Sequence, residues 1–246
     1  MNNYKLTIQY DGGRYKGWQR LGNNENTIQG KIEKVLSLMA EEKITIIGCS
    51  RTDAGVHAIG QVANFKTNKK FTEQEVKQYL NRYLPTDISI VAVQLVPDDF
   101  HSRYHAKAKT YRYQIWNKEY SNPFLRKYSM HIEEALNINA MRLASRHFIG
   151  SHDFTAFSNA KSKKKSMVRE LYSIDIQEED GLLVIHVKGN GFLYNMARWI
   201  VGTLIDVGLG KLEANQIPAI IASKERNKTG RLADAQGLYL ESIEYN

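Results

Sequence analysis

The sequence is poor in the residues that staple or stiffen a chain. Its 246 residues include one cysteine, Cys49, and four prolines. A single thiol excludes an internal disulfide and any zinc site built from several cysteines, and it suits a reducing compartment. Scarce proline excludes stiff, proline-rich linkers. No apolar run reaches the roughly 18 residues of a transmembrane segment, so no membrane partner is expected. The stretch MNNYKLTIQYDGG lacks the basic-then-apolar layout of a signal peptide, and the expected location is the cytoplasm. Nucleotide fingerprints are missing too. DGGRYKGW (11–18) does not carry G-x-G-x-x-G spacing between a strand and a helix, and there is no G-x-x-x-x-G-K-[ST]. Neither ATP nor a dinucleotide is expected.

What is present suits a globular protein. Hydrophobic residues make up 42% and charged residues 24%, enough for a real core. The length allows one large domain or two small ones. The net charge is +8, and the excess is spread along the chain rather than gathered in a tail. That favours an anionic partner, of which nucleic acid is the commonest large example. An anionic small molecule, or solubility alone, is compatible with the same charge.

Periodicity supplies the elements. YKLTIQY (4–10) alternates, with Tyr4, Leu6, Ile8 and Tyr10 on one face, as a half-buried strand does. A helix is expected from about Thr27, with Asn26 as N-cap and Ile28, Ile32, Val35, Leu36 and Met39 as its apolar stripe. Strands at 44–48 and 61–66 flank the loop CSRTDAGVHA. Thr72 and Glu75 form a capping-box pattern before a helix whose stripe is Val76, Tyr79, Leu80 and Tyr83, and a strand follows at 88–95.

The order β-α-β-β-α-β then recurs, with strands at 109–115, 168–177, 182–188 and 238–244 and helices at 138–148 and 192–207. The expected fold is therefore α+β. It comprises two ferredoxin-like halves, 1–105 and 106–246, each with a mainly antiparallel sheet and helices on one face. The insertion 151–167 is expected to be irregular, and its basic run Lys161, Lys163, Lys164 and Lys165 is either a solvated loop or a phosphate-contacting lip.

Several residues are candidates for chemistry. Asp53 lies in a glycine-bounded loop beside Arg51, as a turn-capping aspartate or as a base, nucleophile or metal ligand. No second acid lies in the loop, so a carboxylate pair or metal cage has no support. His57 is a base or a hydrogen-bonded core histidine. His101 and His105 in HSRYH, and the neighbours His152 and Asp153, carry no accompanying metal or nucleophile motif. Tyr111, between Lys109 and Arg112 on a strand, is a core residue or a stacking platform for a base. Arg198 interrupts the apolar helix FLYNMARWIVGTLI at the edge of the face formed by Leu193, Met196, Ile200 and Leu204. A charge there is expensive unless paired, and an aspartate from another element is a natural partner that the pairing would keep ionised.

Six stretches in order resemble the tRNA pseudouridine synthase A family: YDGGRYKGWQR (10–20), TIQGKIEKVL (27–36), RTDAGVHAIGQVANF (51–65), RYHAKAKTYRYQI (103–115), GSHDFTAF (150–157) and GFLYNMARWIVG (191–202). The resemblance implies that Asp53 is the catalytic aspartate, that Arg51 positions substrate and assists base flipping, that Tyr111 lines the site against the target base, and that Arg198 is the basic partner of Asp53. It implies that the two mainly antiparallel sheets join into one central sheet with a cleft between the halves, and it implies isomerisation of uridine to pseudouridine at nucleotides 38–40 of the tRNA anticodon stem-loop, by a homodimer with tRNA as partner and no metal or organic cofactor. Two departures accompany it. LADAQGLYL (232–240) stands where the family has a proline-containing AP…GL stretch, and GCSR replaces the more usual small-residue lead into the loop. A pseudouridine synthase acting at another RNA position and a non-catalytic RNA-binding module are the alternatives. Asp53 beside Arg51, with Arg198 in an apolar helix, favours the enzyme.

Overall fold

The computed structural model describes residues 1–22, 26–159 and 166–245. The chain forms two compact units, one comprising Met1–Lys107 with the chain from Tyr239 onward, the other Ala108–Leu238. The fold is α+β, with mostly antiparallel strand pairing.

In the first unit the order is β1 (Asn2–Tyr10), α1 (Ile28–Ala40), β2 (Ile46–Gly48), β3 (His57–Thr67), α2 (Glu73–Tyr83) and β4 (Ile88–Val96). β1 lies between β3 and β4, antiparallel to both. Its alternation is realised: Tyr4, Leu6, Ile8 and Tyr10 are at most 4% exposed, while Gln9 faces solvent. α1 starts one residue later than Asn26 as cap would place it. Thr27 is the N-cap, accepting from Gly30 N at 3.2 Å. The Asn26 amide is otherwise engaged, donating to the Arg14 carbonyl at 2.7 Å.

The Thr72–Glu75 capping box forms as expected on α2. The stripe on that helix is narrower than the sequence suggested. Val76 and Leu80 are fully buried, but Tyr83 is 54% exposed, its ring against Tyr79 with centroids 4.6 Å apart. The two rings cover each other outside the core.

One edge of β3 is shared by two short partners. β2 pairs antiparallel with its far end, Ile46 opposite Phe65. The C-terminal strand, Leu238–Glu244, pairs parallel with its start, Tyr239 opposite His57 and Leu240 opposite Ala58. Loop 49–56 emerges where one partner gives way to the other. The element order places the C-terminal strand in the second half, 106–246, whereas from Tyr239 it packs in the first unit. Two register pairs of parallel contact leave no local signal for this in the sequence.

The second unit holds β5 (Ala108–Trp116), β6 (Met130–His131), α3 (Ile138–Arg146), β7 (Gly150–Asp153), β8 (Val168–Glu179), β9 (Leu182–Gly189), α4 (Met196–Gly208) and α5 (Ile217–Ser223). The strand order is β5-β9-β8-β7, each neighbour antiparallel, and β6 runs parallel beside β5.

Three features differ from expectation. Part of the segment expected to be irregular, 151–167, is the edge strand β7, paired through Ser151–Glu170 and His152–Arg169. α4 begins at Met196 rather than near 192, because Asn195 is left-handed with φ 62° and cannot belong to the helix; Leu193 therefore precedes the helix. α5, which the sequence reading omitted, buries only Ile217, Ile220 and Ile221 over two turns, too short for a clear period. Among the described residues no helix is long and apolar enough to cross a membrane.

Replacing Thr72 with alanine removes the hydroxyl that accepts from Glu75 N at 3.2 Å. The expected cost is about 1 kcal/mol of unfolding free energy, read from urea denaturation; a change within error would show that the cap is energetically idle.

Candidate active site

The loop between β2 and β3 is held by its backbone and leaves its charged side chains outward. Thr52 is 7% exposed; its hydroxyl lies 2.8 Å from the Tyr10 hydroxyl and its carbonyl accepts from Trp18 N at 3.0 Å. The residues on either side alternate away from it: Arg51 is exposed and Asp53 half-buried. Asp53 O accepts from Val56 N at 3.2 Å, closing a tight turn. The loop's entry is clamped by Gln61, fully buried, whose amide nitrogen donates to Ser50 O at 2.7 Å and whose oxygen accepts from Ser50 N at 3.2 Å. Arg51 and Asp53 are thus brought together on one fixed loop.

The segment 11–18 is the other half of this clamp. A β-carbon on Gly12 would lie 1.9 Å from Val56 O. One on Gly17, which has φ +92°, would lie 2.6 Å from Thr52 O. Both glycines are therefore required for backbone to touch backbone. DGGRYKGW, which lacks nucleotide-binding spacing, has a physical role as a buttress.

Its own position is fixed by Tyr15, whose hydroxyl donates to Asp87 Oδ1 at 2.6 Å, and by the Arg14–Asp87 ion pair. Burial, and then the Asp87 carboxylate, push the Tyr15 hydroxyl up to about 12.

His57 begins β3 rather than lying in the loop, and is 2% exposed. Its Nδ1 lies 3.1 Å from both Gly12 N and Asp11 Oδ1, so the unprotonated nitrogen accepts from Gly12 while a protonated one donates to Asp11. Its ring stacks on Tyr239 at 4.9 Å. Of its two readings, the structure favours the hydrogen-bonded core histidine.

In the second unit, Tyr111 is 8% exposed on β5, opposite Val187, with Phe192 edge-on at 4.8 Å. Arg198, half-buried on α4, donates from Nε to Ala233 O at 2.7 Å, and Ala233 N returns a bond to Arg198 O at 3.2 Å.

Ala233 belongs to a strap, residues 230–234, laid on α4. Gly230 N donates to Thr203 Oγ1 at 3.0 Å, and Arg231 pairs with the buried Asp206 at 2.8 Å. A β-carbon on Gly202 would lie 1.7 Å from Arg231 O. Tyr113 O–H donates to Asp234 O at 2.8 Å. Ala233 and Asp234 lie in the stretch that departs from the AP…GL pattern, yet each of these bonds uses their backbone atoms. The departure therefore leaves the holding of Arg198 intact.

The remaining candidates separate. His152 Nε2 meets Ile149 O at 2.9 Å, while Asp153 accepts from Thr155 and pairs with Lys224 at 2.8 Å. They face different partners and form no dyad. His101 Nδ1 accepts from Arg103 N and Tyr104 N at 3.2 and 3.3 Å. Among the described residues no group of three or more His, Cys, Asp or Glu is arranged to hold a metal ion. Lys161, Lys163, Lys164 and Lys165 lie outside the described residues. Asn159, just before them, accepts from Trp199 Nε1 at 3.0 Å and from Arg226 Nη1 at 3.1 Å.

A family profile described as tRNA pseudouridine synthase matches residues 6–105 and 144–246. A tRNA pseudouridine synthase A 2 of Bacillus cereus (strain ZK / E33L) is 65% identical over 245 residues, covering 100% of both chains. A tRNA pseudouridine synthase A of Bacillus sp. (strain KSM-64) is 65% identical and one of Acetivibrio thermocellus 46% identical, each over 100% of both chains. The chain belongs to the tRNA pseudouridine synthase family. It is an enzyme of the isomerase class.

For a tRNA pseudouridine synthase the supporting residues are as telling as the charged ones. The sequence gives Tyr10, Thr52 and Gln61 no sign of a supporting role, because each looks like an ordinary strand or turn residue. The available signal was a threonine between two charges, which in extended backbone points to the opposite side from both.

Gly12→Ala should shift loop 50–56 and reduce pseudouridine formation at least tenfold while far-UV circular dichroism is kept; full activity would mean that the loop tolerates displacement. For Tyr15 the sign follows from its raised value. The neutral hydroxyl is favoured in the folded state, so its contribution is complete below the unfolded value of 10.0 and is lost as pH rises through about 12. Melting temperatures of Tyr15→Phe should therefore fall less steeply between those two pH values than those of the parent.

Proposed function

We propose that this synthase converts uridine to pseudouridine at nucleotides 38–40 of the tRNA anticodon stem-loop, with Asp53 as the nucleophile. The observation that carries the reading is the presentation of Asp53. It is a half-buried carboxylate beside exposed Arg51, on a loop whose backbone is clamped from both ends by Thr52, Gln61 and the glycines of 12–17. A reacting group held by backbone contacts loses little further freedom when substrate arrives.

Uridine must leave its stack, at a cost of a few kcal/mol. In the proposed scheme Tyr111 packs against the extruded base, and Arg51 and the basic run 161–165 hold flanking phosphates. Arg198 is the cationic partner of the reacting carboxylate. Asp53 adds either to C6 of the base or to C1′ of the ribose. In both routes the N1–C1′ bond breaks, the uracil turns while trapped, and a C5–C1′ bond forms. The proton leaving C5 is matched by the one N1 gains, so atoms and electrons balance without a co-reactant. Water must be kept out while uracil is detached, which small residues and close backbone contact favour. The proposal extends to a homodimer working in the cytoplasm.

Incubation with unmodified tRNA transcripts, followed by chemical mapping of pseudouridine, tests activity and position together. Asp53→Asn should abolish product while leaving tRNA affinity within about threefold. Turnover near the parent rate would remove Asp53 from the nucleophile's role. Product at other nucleotides would move the target. Binding without any product from the parent chain would leave an RNA-binding module.

A further inference from the structure

We propose that Tyr104, backed by His101, is a stacking site for a nucleobase of the substrate RNA, separate from the pocket for the reacting uridine. The inference rests on the RNA-modifying role above. Tyr104 is 77% exposed, among the most exposed aromatic side chains described. One face of its ring is covered by the imidazole of His101, with centroids 4.2 Å apart and planes inclined by 30°. An exposed tyrosine ordinarily samples several rotamers. Here a second ring supports it from behind, and its outer face is the surface that solvent reaches.

The turn that carries the pair is anchored far more heavily than a solvated loop requires. Ser102, between them and fully buried, donates from N to Asn64 Oδ1 at 2.9 Å and from its hydroxyl to Ile47 O at 2.5 Å. Its carbonyl accepts from the Tyr245 hydroxyl at 2.6 Å. Asn64 in turn donates to Asn3 Oδ1 at 3.1 Å, and Asn3 donates to Phe100 O at 2.9 Å. His101 itself is locked, because Nδ1 accepts from the backbone N–H of both Arg103 and Tyr104. Burial, with the neighbouring His105 and Arg103, lowers its proton affinity, which favours the neutral acceptor that these two bonds require.

The surroundings fit a nucleic-acid occupant. Arg103 is exposed beside the pair, and Lys5 is held over the rings of Phe100 and Tyr245 at 5.8 and 5.7 Å. An aromatic face with cations around it accepts any base, because every base offers a π-face. Ile47 and Asn64, the anchor points, sit on the β2–β3 hairpin that also carries Arg51 and Asp53. The proposed stack is thus anchored on the strands of that hairpin, and Asp53 lies on the loop that joins them.

The test is steady-state pseudouridine formation on tRNA transcripts by the full chain, together with direct tRNA binding. Tyr104→Ala should raise KM and Kd about tenfold, with kcat at saturating tRNA within about twofold. Tyr104→Trp should restore KM, and its indole fluorescence should be quenched by tRNA. Tyr104→Leu, with apolar area but no π-face, should behave like alanine. An unchanged KM and Kd in Tyr104→Ala, or full rescue by leucine, would overturn the proposal and leave the exposed ring to a protein contact. If the parent chain makes no pseudouridine, the activity reading fails on its own. The stacking site is then judged by Kd alone, a tenfold loss in Tyr104→Ala supporting it and an unchanged value rejecting it.

Discussion

The presentation of Arg51 and Asp53 depends on one close approach, that of the segment 11–18 to loop 50–56. Neither glycine at the contact tolerates a β-carbon without moving a carbonyl, because the clearances are 1.9 Å at Gly12 and 2.6 Å at Gly17. Backbone packed on backbone has no rotamers to lose. It fixes Thr52 and the turn at Asp53 through main-chain contact. The same contact explains why a glycine-rich segment follows β1 in a protein without a nucleotide fingerprint. It also explains the heavy tethering of Tyr15 and Arg14 to Asp87: a buttress is useful only if it is itself immobile.

The second unit uses the same device with different parts. α4 is buried nearly all round, which a surface helix is not, because the strap 230–234 covers the side that would otherwise meet solvent. Asp206, a carboxylate 8% exposed in that helix, is stabilised by its ion pair and hydrogen bonds to Arg231, which turn a costly buried charge into the tie that holds the strap. The strap in turn offers Ala233 O to Arg198. A departure in side-chain sequence along 232–240 is tolerable for that reason. What Arg198 and Tyr113 need from the strap are carbonyl oxygens, and every residue supplies one.

Much of the fold was legible because its strands alternate. Tyr4, Leu6, Ile8 and Tyr10, or Tyr111, Tyr113 and Ile115, announce a buried face by spacing alone, and Thr72 with Glu75 announces a helix start by chemistry. Where the reading failed at α1 and at the C-terminal strand, the deciding contact was distant in sequence. Thr27 rather than Asn26 caps α1 because Arg14 O claims the asparagine amide. The C-terminal strand joins the first unit through pairing with residues some 180 positions away, which roughly exceeds any local window. In the loop, Arg51 and Asp53 were visible as candidates because charges in a glycine-bounded bend are conspicuous. The bonds by which Thr52, Gln61 and Tyr10 hold that loop have no sequence signal, because they exist only after folding.

The exposed stack at Tyr104 follows the same economy of design. A base-binding ring must be solvent-accessible before RNA arrives, yet it must not wander, since immobilising a free side chain on binding costs about 0.5–1.5 kcal/mol. The tension is resolved by burying the residue between the rings rather than the rings themselves. Ser102 is anchored to the sheet through N, O and Oγ, whereas Tyr104 is left open. Loop 50–56 has the same construction, a buried Thr52 between Arg51 and Asp53. In both places a small hydroxyl residue is sunk into the scaffold so that larger neighbours can stand out from it in one direction. In both turns a small buried hydroxyl residue, hydrogen-bonded through backbone and side chain, holds larger charged or aromatic neighbours on a rigid frame.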